Sequence, residues 1–254
     1  MKRILSRLVL VTVLIYCANV FASPVDLPYC LKALTVERIT ENQFSLSAEM
    51  DMVSERNMKE LSSDIAANFG MLKLTYSTPY AIDFYGMYGQ AYDVEYSYGA
   101  NKFNLADTPA WGFGVNMAIF IDELEDLGVW PFIDFKYREI TDMGYESFNS
   151  GTISYTGSAI TSANDAEWRE TQLALGIIKN FDMCVFYIGG KYSNADASAK
   201  LSAGGTTYEL MQTHGKSNVG VFLGFLIPTE KFKVGLEGRF VDEKALSVNF
   251  TYKF

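Results

Sequence analysis

The chain has 254 residues, with 30 acidic side chains against 21 basic ones and a single histidine, for a formal charge of −9. An acidic balance of this size argues against nucleic acid, whose phosphates would repel it. Hydrophobic residues make up 49% and aromatics 15% of the sequence. Beyond Val20, however, no apolar run nears the roughly 20 residues a spanning helix needs, so any membrane form has to be a closed barrel.

The first residues read as an export signal. Lys2, Arg3 and Arg7 form a basic head, Leu8–Tyr16 is apolar, and Val20-Phe21-Ala22 sets up a cut near Ser23. Leu8–Val20 is too short for an anchor, and Tyr16 is too bulky for a lipoprotein signal at Cys17. Removing residues 1–22 leaves 18 basic against 30 acidic residues, a charge of −12. Cys30 and Cys184 survive that cut. An exported location permits a disulfide between them, and the alternative is two small unpaired residues. Residues 23–42 carry Pro24 and Pro28, show no alternation, and read as a periplasmic N-terminal segment at the mouth of whatever follows.

From Gln43 the sequence alternates with period two, the mark of strands with one apolar face. Phe44, Leu46, Ala48, Met50 and Met52 oppose Ser45, Ser47, Glu49 and Asp51. Leu72, Leu74 and Tyr76 oppose Lys73 and Thr75. A third run places Ile82, Phe84, Tyr88, Tyr92, Val94, Tyr96 and Tyr98 away from Asp83, Tyr85, Asp93 and Glu95. The fourth faces Phe113, Val115, Met117, Ile119 and Ile121 outward. The fifth does so with Ile133, Phe135 and Tyr137 against Asp134, Lys136 and Arg138, and the sixth with Leu173, Leu175 and Ile177. The seventh sets Phe186, Ile188 and Tyr192 against Lys191, and the eighth Val219, Val221, Leu223 and Phe225 against Asn218, Gly220, Phe222 and Gly224. Val234, Leu236 and Phe240 oppose Glu237 and Arg239 in the ninth. Leu246–Phe254 is the tenth.

The connections alternate in length: long at 57–68, 100–109, 140–166 and 194–217, short at 77–80, 122–128, 179–182 and 228–231, with a last loop at 242–244. Membrane barrels sort their loops in this way, with short periplasmic turns and longer outer loops on an even strand count. The sequence therefore predicts an all-β fold, a transmembrane antiparallel up-and-down β-barrel of about ten strands over residues 43–254, eight and twelve being the neighbouring counts.

The tenth segment carries the clearest signature. Val248, Phe250, Tyr252 and Phe254 alternate with Asn249, Thr251 and Lys253, ending on an aromatic. It resembles the terminal strand of bacterial outer-membrane barrels, and the resemblance implies that the barrel-assembly machinery reads this strand. From Gln43 onward the chain resembles the small outer-membrane barrels of the OmpA/OmpX or opacity-protein type, and more loosely porins. That resemblance implies a monomer in the outer membrane of a Gram-negative bacterium, in contact with lipid and lipopolysaccharide. It further implies a role in envelope integrity, adhesion or slow small-solute passage. Loops 140–166 and 194–217, rich in Ser, Gly, Thr, Ala and Asn, are the expected contact surface for an extracellular ligand.

The candidate site is the lumen. Parity points Glu49, Asp51, Lys73, Asp83, Asp134, Lys136, Arg138, Lys191, Glu237 and Arg239 inward. Opposed charges in a narrow bore should pair, because an unpaired buried charge is costly. The structural reading is a salt-bridged plug; the functional one is a gated or ion-selective pore. Gly112, Gly114, Gly176, Gly220, Gly224 and Gly235 also fall inward, where a tight wall has little room, or else mark bulges. Trp130 and Trp168 fall near strand ends, as girdle residues would.

Catalysis finds little support. His214 is preceded two residues back by Gln212 rather than an acid, and Ser217, three residues on, falls on the opposite strand face. The acidic runs at 122–126 and 164–167 lack calcium-loop spacing. The expectation is a non-enzyme without cofactor or metal.

Overall fold

A strand with one apolar and one polar face cannot stand alone; it must pack on another layer or close on its neighbours. Here it closes. The computed structural model describes residues 24–27, 41–59, 63–181, 183–215, 218–229 and 231–254. The expected export signal, Cys30 and most of the 23–42 segment lie outside them, and with Cys30 goes the expected pairing with Cys184.

Fourteen strands follow one another: β1 (Gln43–Asn57), β2 (Ser63–Ser77), β3 (Ile82–Tyr98), β4 (Asn101–Leu105), β5 (Thr108–Ala118), β6 (Val129–Met143), β7 (Tyr145–Ser150), β8 (Ile153–Thr156), β9 (Ile160–Phe181), β10 (Cys184–Ala203), β11 (Thr206–His214), β12 (Val219–Pro228), β13 (Phe232–Phe240) and β14 (Glu243–Lys253). Ten of them close a ring in the order β2-β1-β14-β13-β12-β10-β9-β6-β5-β3, with β3 returning to β2. Every pairing is antiparallel, and β14 docks on β1 from Ser45↔Lys253 to Arg56↔Glu243. The predicted ten-stranded barrel is what forms.

The other four strands lie in stretches expected to be loops. Residues 100–109 hold β4, residues 140–166 hold β7, β8 and the start of β9, and residues 194–217 hold the second half of β10 and β11. β4 joins β3 to β7, β8 follows β7, and β11 folds back on β10. A spanning strand needs roughly 9–11 residues, whereas β9 has 22 and β10 has 20. About half of each therefore stands beyond the spanning part, at the end away from the short turns. The bridge Met58↔Gly215 ties this raised sheet back to the end of β1. The predicted outer loops are thus an extension of the wall.

At the turn end the links are tight. Thr78 caps the β2–β3 turn, its backbone N–H donating to Ile82 O at 3.0 Å and its hydroxyl doing the same at 2.9 Å. A four-residue helix, α1 (Asp122–Glu125), carries the first of the two acidic runs between β5 and β6.

Bulges break the simple parity, on β3 and β1 among others. On β3 the outward series Ile82, Phe84 and Tyr88 holds until Asp93, which adopts φ +52° where β2 and β3 shift register. A bulge adds one residue and flips every side chain beyond it. Val94 and Tyr96, expected outside, are consequently buried inside. On β1 the shift between Val53 and Arg56 turns Arg56 into the bore.

The bore contains apolar as well as charged layers. At the loop end Phe69, Tyr96, Met143, Phe148 and Trp168 form a buried cluster with small residues of β10. Near the turn end Trp130, Phe132, Ile178, Tyr187 and Phe222 form another. Trp130 and Trp168 are therefore core residues rather than girdle residues. Both share the even parity of their inward neighbours Asp134 and Glu170, and the strands simply run further than expected.

The inward glycines are close-approach sites. A Cβ on Gly114 would lie 2.2 Å from the Tyr85 ring, and one on Gly224 would lie 2.3 Å from that of Tyr187. Gly224→Ala should thus destabilise the barrel by about 1–3 kcal/mol through overpacking. Tyr187→Leu in the same chain should recover part of that loss in a urea titration; equal stability of Gly224→Ala and the native chain would contradict the contact.

Candidate functional site

All ten charged residues assigned to the lumen by parity are buried: Glu49, Asp51, Lys73, Asp83, Asp134, Lys136, Arg138, Lys191, Glu237 and Arg239. They sit in two layers. In the layer nearer the loops Asp51 Oδ2 accepts from Arg138 Nη1 at 2.7 Å, and Oδ1 accepts from Arg239 Nη2 at 2.6 Å and from the Ser247 hydroxyl at 2.9 Å. Arg138 also donates to Glu170 at 2.8 Å, and its guanidinium lies 3.7 Å from the centre of the Phe69 ring. Burying cations over an aromatic face and between carboxylates offsets part of their lost hydration.

Four further members were missed by parity. Arg56 donates to Glu170 and Glu243, both at 2.7 Å, and to the Ser193 hydroxyl at 2.8 Å. Lys191 pairs with Asp242 at 3.1 Å and with Glu243. Asp242 and Glu243 come from the β13–β14 turn, where Val241 takes φ +86° and is itself exposed. That costly conformation for a β-branched residue folds the Asp242 carboxylate into the bore. No periodicity announces Asp242, whereas Glu243 opens β14 on the inward parity of Ala245 and Ser247. Glu170 likewise shares the parity of Gln172 and Ala174 and was legible two residues upstream.

These contacts form one chain: Lys191, Glu243, Arg56, Glu170, Arg138, Asp51, Arg239 and Glu237. It crosses the bore. β1, which carries Arg56, and β9, which carries Glu170, are five strands apart in either direction around the ring of ten. The Arg56–Glu170 pair therefore joins diametrically opposite walls. Within this layer Asp51, Glu170, Asp242 and Glu243 match Arg56, Arg138, Lys191 and Arg239 in number, and Glu237 ends the chain of contacts on the side of the turns.

The layer nearer the turns is held differently. Lys73 pairs with Glu49 at 3.2 Å, Tyr85 donates to Asp134 at 2.8 Å, and the Lys73 and Lys136 ammoniums lie 5.5 and 5.7 Å from the Tyr85 ring centre. Another acid, Asp26, joins from a segment that lies in the bore without belonging to the wall, pairing with Lys136 at 2.9 Å and with Lys73. Burial alone would raise the Asp26 carboxyl's pKa, but Lys136 and Lys73 outweigh it and hold that carboxyl well below the usual carboxylate range.

The outer face is the reverse of the bore. Leu46, Met50, Leu72, Leu74, Phe113, Leu173, Leu175, Ile177, Ile188, Val221 and Val248 are exposed around the ring. Aromatic residues rim this belt at both ends. Phe232 packs 5.3 Å from Phe250 and 5.2 Å from Tyr252, which meets Phe254 at 5.3 Å, all at the turn end. Toward the loops Trp111 lies 5.6 Å from Tyr137 and opposite Tyr88 in the register, and Tyr88 and Tyr192 are exposed. An apolar band between two aromatic girdles, wrapped around a polar bore, is how a sheet meets lipid. This is the fold of an outer-membrane β-barrel.

Comparison with solved structures returns barrels of this type. The translocator domain of the autotransporter NalP from Neisseria meningitidis is similar over 86% of this chain and 90% of its own, with 8% identity and a TM-score of 0.49. The outer membrane protein OprG from Pseudomonas aeruginosa is similar over 84% of this chain and 96% of its own, with 12% identity and a TM-score of 0.40. An outer membrane channel from Pseudomonas putida F1 gives 93% and 98% coverage, 8% identity and a TM-score of 0.36. No family model matches the sequence, and neither does any curated protein.

β14 pairs with β13 on one side and β1 on the other. Val248, Phe250 and Phe254 are exposed on the lipid face, Tyr252 is half-buried among its ring neighbours, and the Phe254 N–H donates to Phe44 O at 3.2 Å. Cys184 opens β10, half-buried. His214, the residue weighed for catalysis, ends β11 opposite Asp196 in the register.

Proposed function

We propose that this protein is an outer-membrane barrel of a Gram-negative bacterium whose lumen is sealed by a fixed ion network, and that it serves the envelope as a structural and surface-contact element. The observation that carries this reading is the Arg56–Glu170 pair, which joins opposite walls as one link of a continuous chain of buried charges. Above it lies the apolar cluster of Phe69, Tyr96, Phe148 and Trp168, and below it the Asp26 clasp. A solute would have to break all three layers. Asp51 and Glu170 are each clamped by two guanidiniums, the opposite of a carboxyl poised for acid or base work, so the reading assigns no catalysis. The belt meets lipid and lipopolysaccharide, β14 is the strand for the assembly machinery, and the raised sheet over 140–166 and 194–217 offers the surface for an extracellular ligand. A monomer suffices, since the ring closes on itself.

A second reading, a gated small channel, draws on the make-up of the charge layer near the loops. Side chains alone span it, and side chains rotate on far shorter timescales than a wall refolds. Planar-bilayer recording separates the two. The native protein should give no stepwise conductance. Steady steps in the native protein that change in Arg138→Ala or Arg239→Ala would replace the sealed reading with the channel.

A further inference from the structure

One stretch of backbone lies within the bore without belonging to the wall. Residues 24–27 sit in its turn-end half, where Pro24, Val25 and Asp26 are buried. The wall meets them group by group. Lys136 Nζ donates to Pro24 O, the Val25 N–H donates to Glu237 Oε1 at 2.8 Å, and the Asp26 N–H donates to Asp134 Oδ2 at 3.3 Å. The Asp26 carboxylate lies between the Lys73 and Lys136 ammoniums. Val25 enters the apolar cluster of Trp130, Phe132, Ile178, Tyr187 and Phe222.

We propose that this half of the lumen is a binding site for a short, extended acidic peptide, and that residues 24–27 fill it in cis. The site's chemistry selects a peptide rather than a simple anion. Four wall carboxylates, Glu49, Asp83, Asp134 and Glu237, are buried in the same half of the bore as Lys73 and Lys136, so a free phosphate would meet repulsion as well as attraction. A peptide satisfies both signs at once. Its N–H groups go to Glu237 and Asp134, and its carboxylate goes to the two lysines. The apolar pocket beside them takes the residue before the acid. This is recognition by backbone donors with side-chain pockets for specificity.

The tether explains how the site stays filled. Fifteen residues separate Leu27 from Gln43, so the segment belongs to the same chain as its site and occupies it intramolecularly. A free peptide of ordinary affinity cannot displace the segment from the native chain. It can enter once the segment is expelled. The site rests on the sealed-barrel reading only in needing a folded bore.

The test uses the full mature chain in detergent micelles and titration calorimetry with the peptide Ac-Pro-Val-Asp-Leu-NH2. Asp26→Lys sets a third cation against Lys73 and Lys136 and should expel the segment; Val25→Arg is the second expelling variant. Both variants should bind the peptide while the native chain shows no binding heat. The Asp-to-Asn peptide should bind at least tenfold more weakly, since a charge-assisted pair is lost, and Lys136→Met added to Asp26→Lys should abolish binding. Absence of binding to both expelling variants, with circular dichroism showing each still folded, would overturn the site. So would equal affinity for the Asn peptide, or equal competition by inorganic phosphate. Because bilayer conductance is recorded separately, a missing binding heat defeats this site alone, and open native steps defeat the sealed lumen alone.

Discussion

Asp51→Ala should lower the barrel's unfolding free energy by about 3–5 kcal/mol, the range expected when one member of a buried charge network is removed and its partners stay buried. Both oxygens of Asp51 are engaged, by Arg138 on one side and by Arg239 and Ser247 on the other. Arg138 keeps Glu170 at 2.8 Å after the loss, but Arg239 is left with Glu237 at 3.4 Å. The penalty therefore falls mainly on Arg239. Adding Arg239→Met to Asp51→Ala should cost less than the two single losses combined, because the second substitution removes the charge that the first one orphaned. A surface pair supplies the contrast. Lys244 and Glu55 are both substantially exposed, and Lys244→Ala should cost no more than about 1 kcal/mol. Urea titration of protein folded in lipid vesicles, followed by tryptophan fluorescence, measures all four. A loss below about 1 kcal/mol for Asp51→Ala would mean that the network does not fix the bore, and the sealed-lumen reading would lose its footing.

Much of this architecture was legible because lipid and lumen impose opposite demands on adjacent residues. Wherever a strand crosses the belt without a bulge, as over Phe44–Met52 or Leu173–Ile177, parity alone gives the correct face. It fails where the backbone gains a residue. Arg56, Val94 and Tyr96 lie just beyond bulges, and a sequence shows no mark where its phase slips. Asp242 was hidden for a second reason: a turn has no period, and its inward aim follows the positive φ at Val241. Asp26 lies in a segment with no alternation at all. The raised sheet was obscured by small side chains. Ala195, Ala197, Ala199, Leu201 and Ala203 are all buried, alternating with Asp196, Ser198, Lys200 and Ser202. The two-residue period is present there, but alanine contributes too little hydrophobic contrast for it to stand out from a polar loop.

The belt itself yields the other large effect. Leu175 is 56% exposed at the middle of the apolar face of β9, between Leu173 and Ile177 and opposite Ile133 on β6. Leu175→Arg should destabilise the protein in vesicles by about 2–4 kcal/mol, the cost of an arginine near the bilayer midplane of a barrel. The sign of this change is what makes it decisive. On a water-facing wall, a half-exposed leucine replaced by arginine would be close to neutral and would gain solubility, because the charge keeps its hydration. Against hydrocarbon the guanidinium must either lose that hydration or drag water and headgroups inward. Lys200→Leu, on the raised part of β10, reverses the chemistry at a site where the wall has left the bilayer, and it should shift stability by less than about 0.5 kcal/mol. If Leu175→Arg proved neutral and the native chain stayed monomeric in buffer without detergent, the exposed apolar face would not be a lipid belt. A lipid belt predicts the reverse of both results, with the penalty shrinking as the substitution moves from Leu175 toward the aromatic girdles.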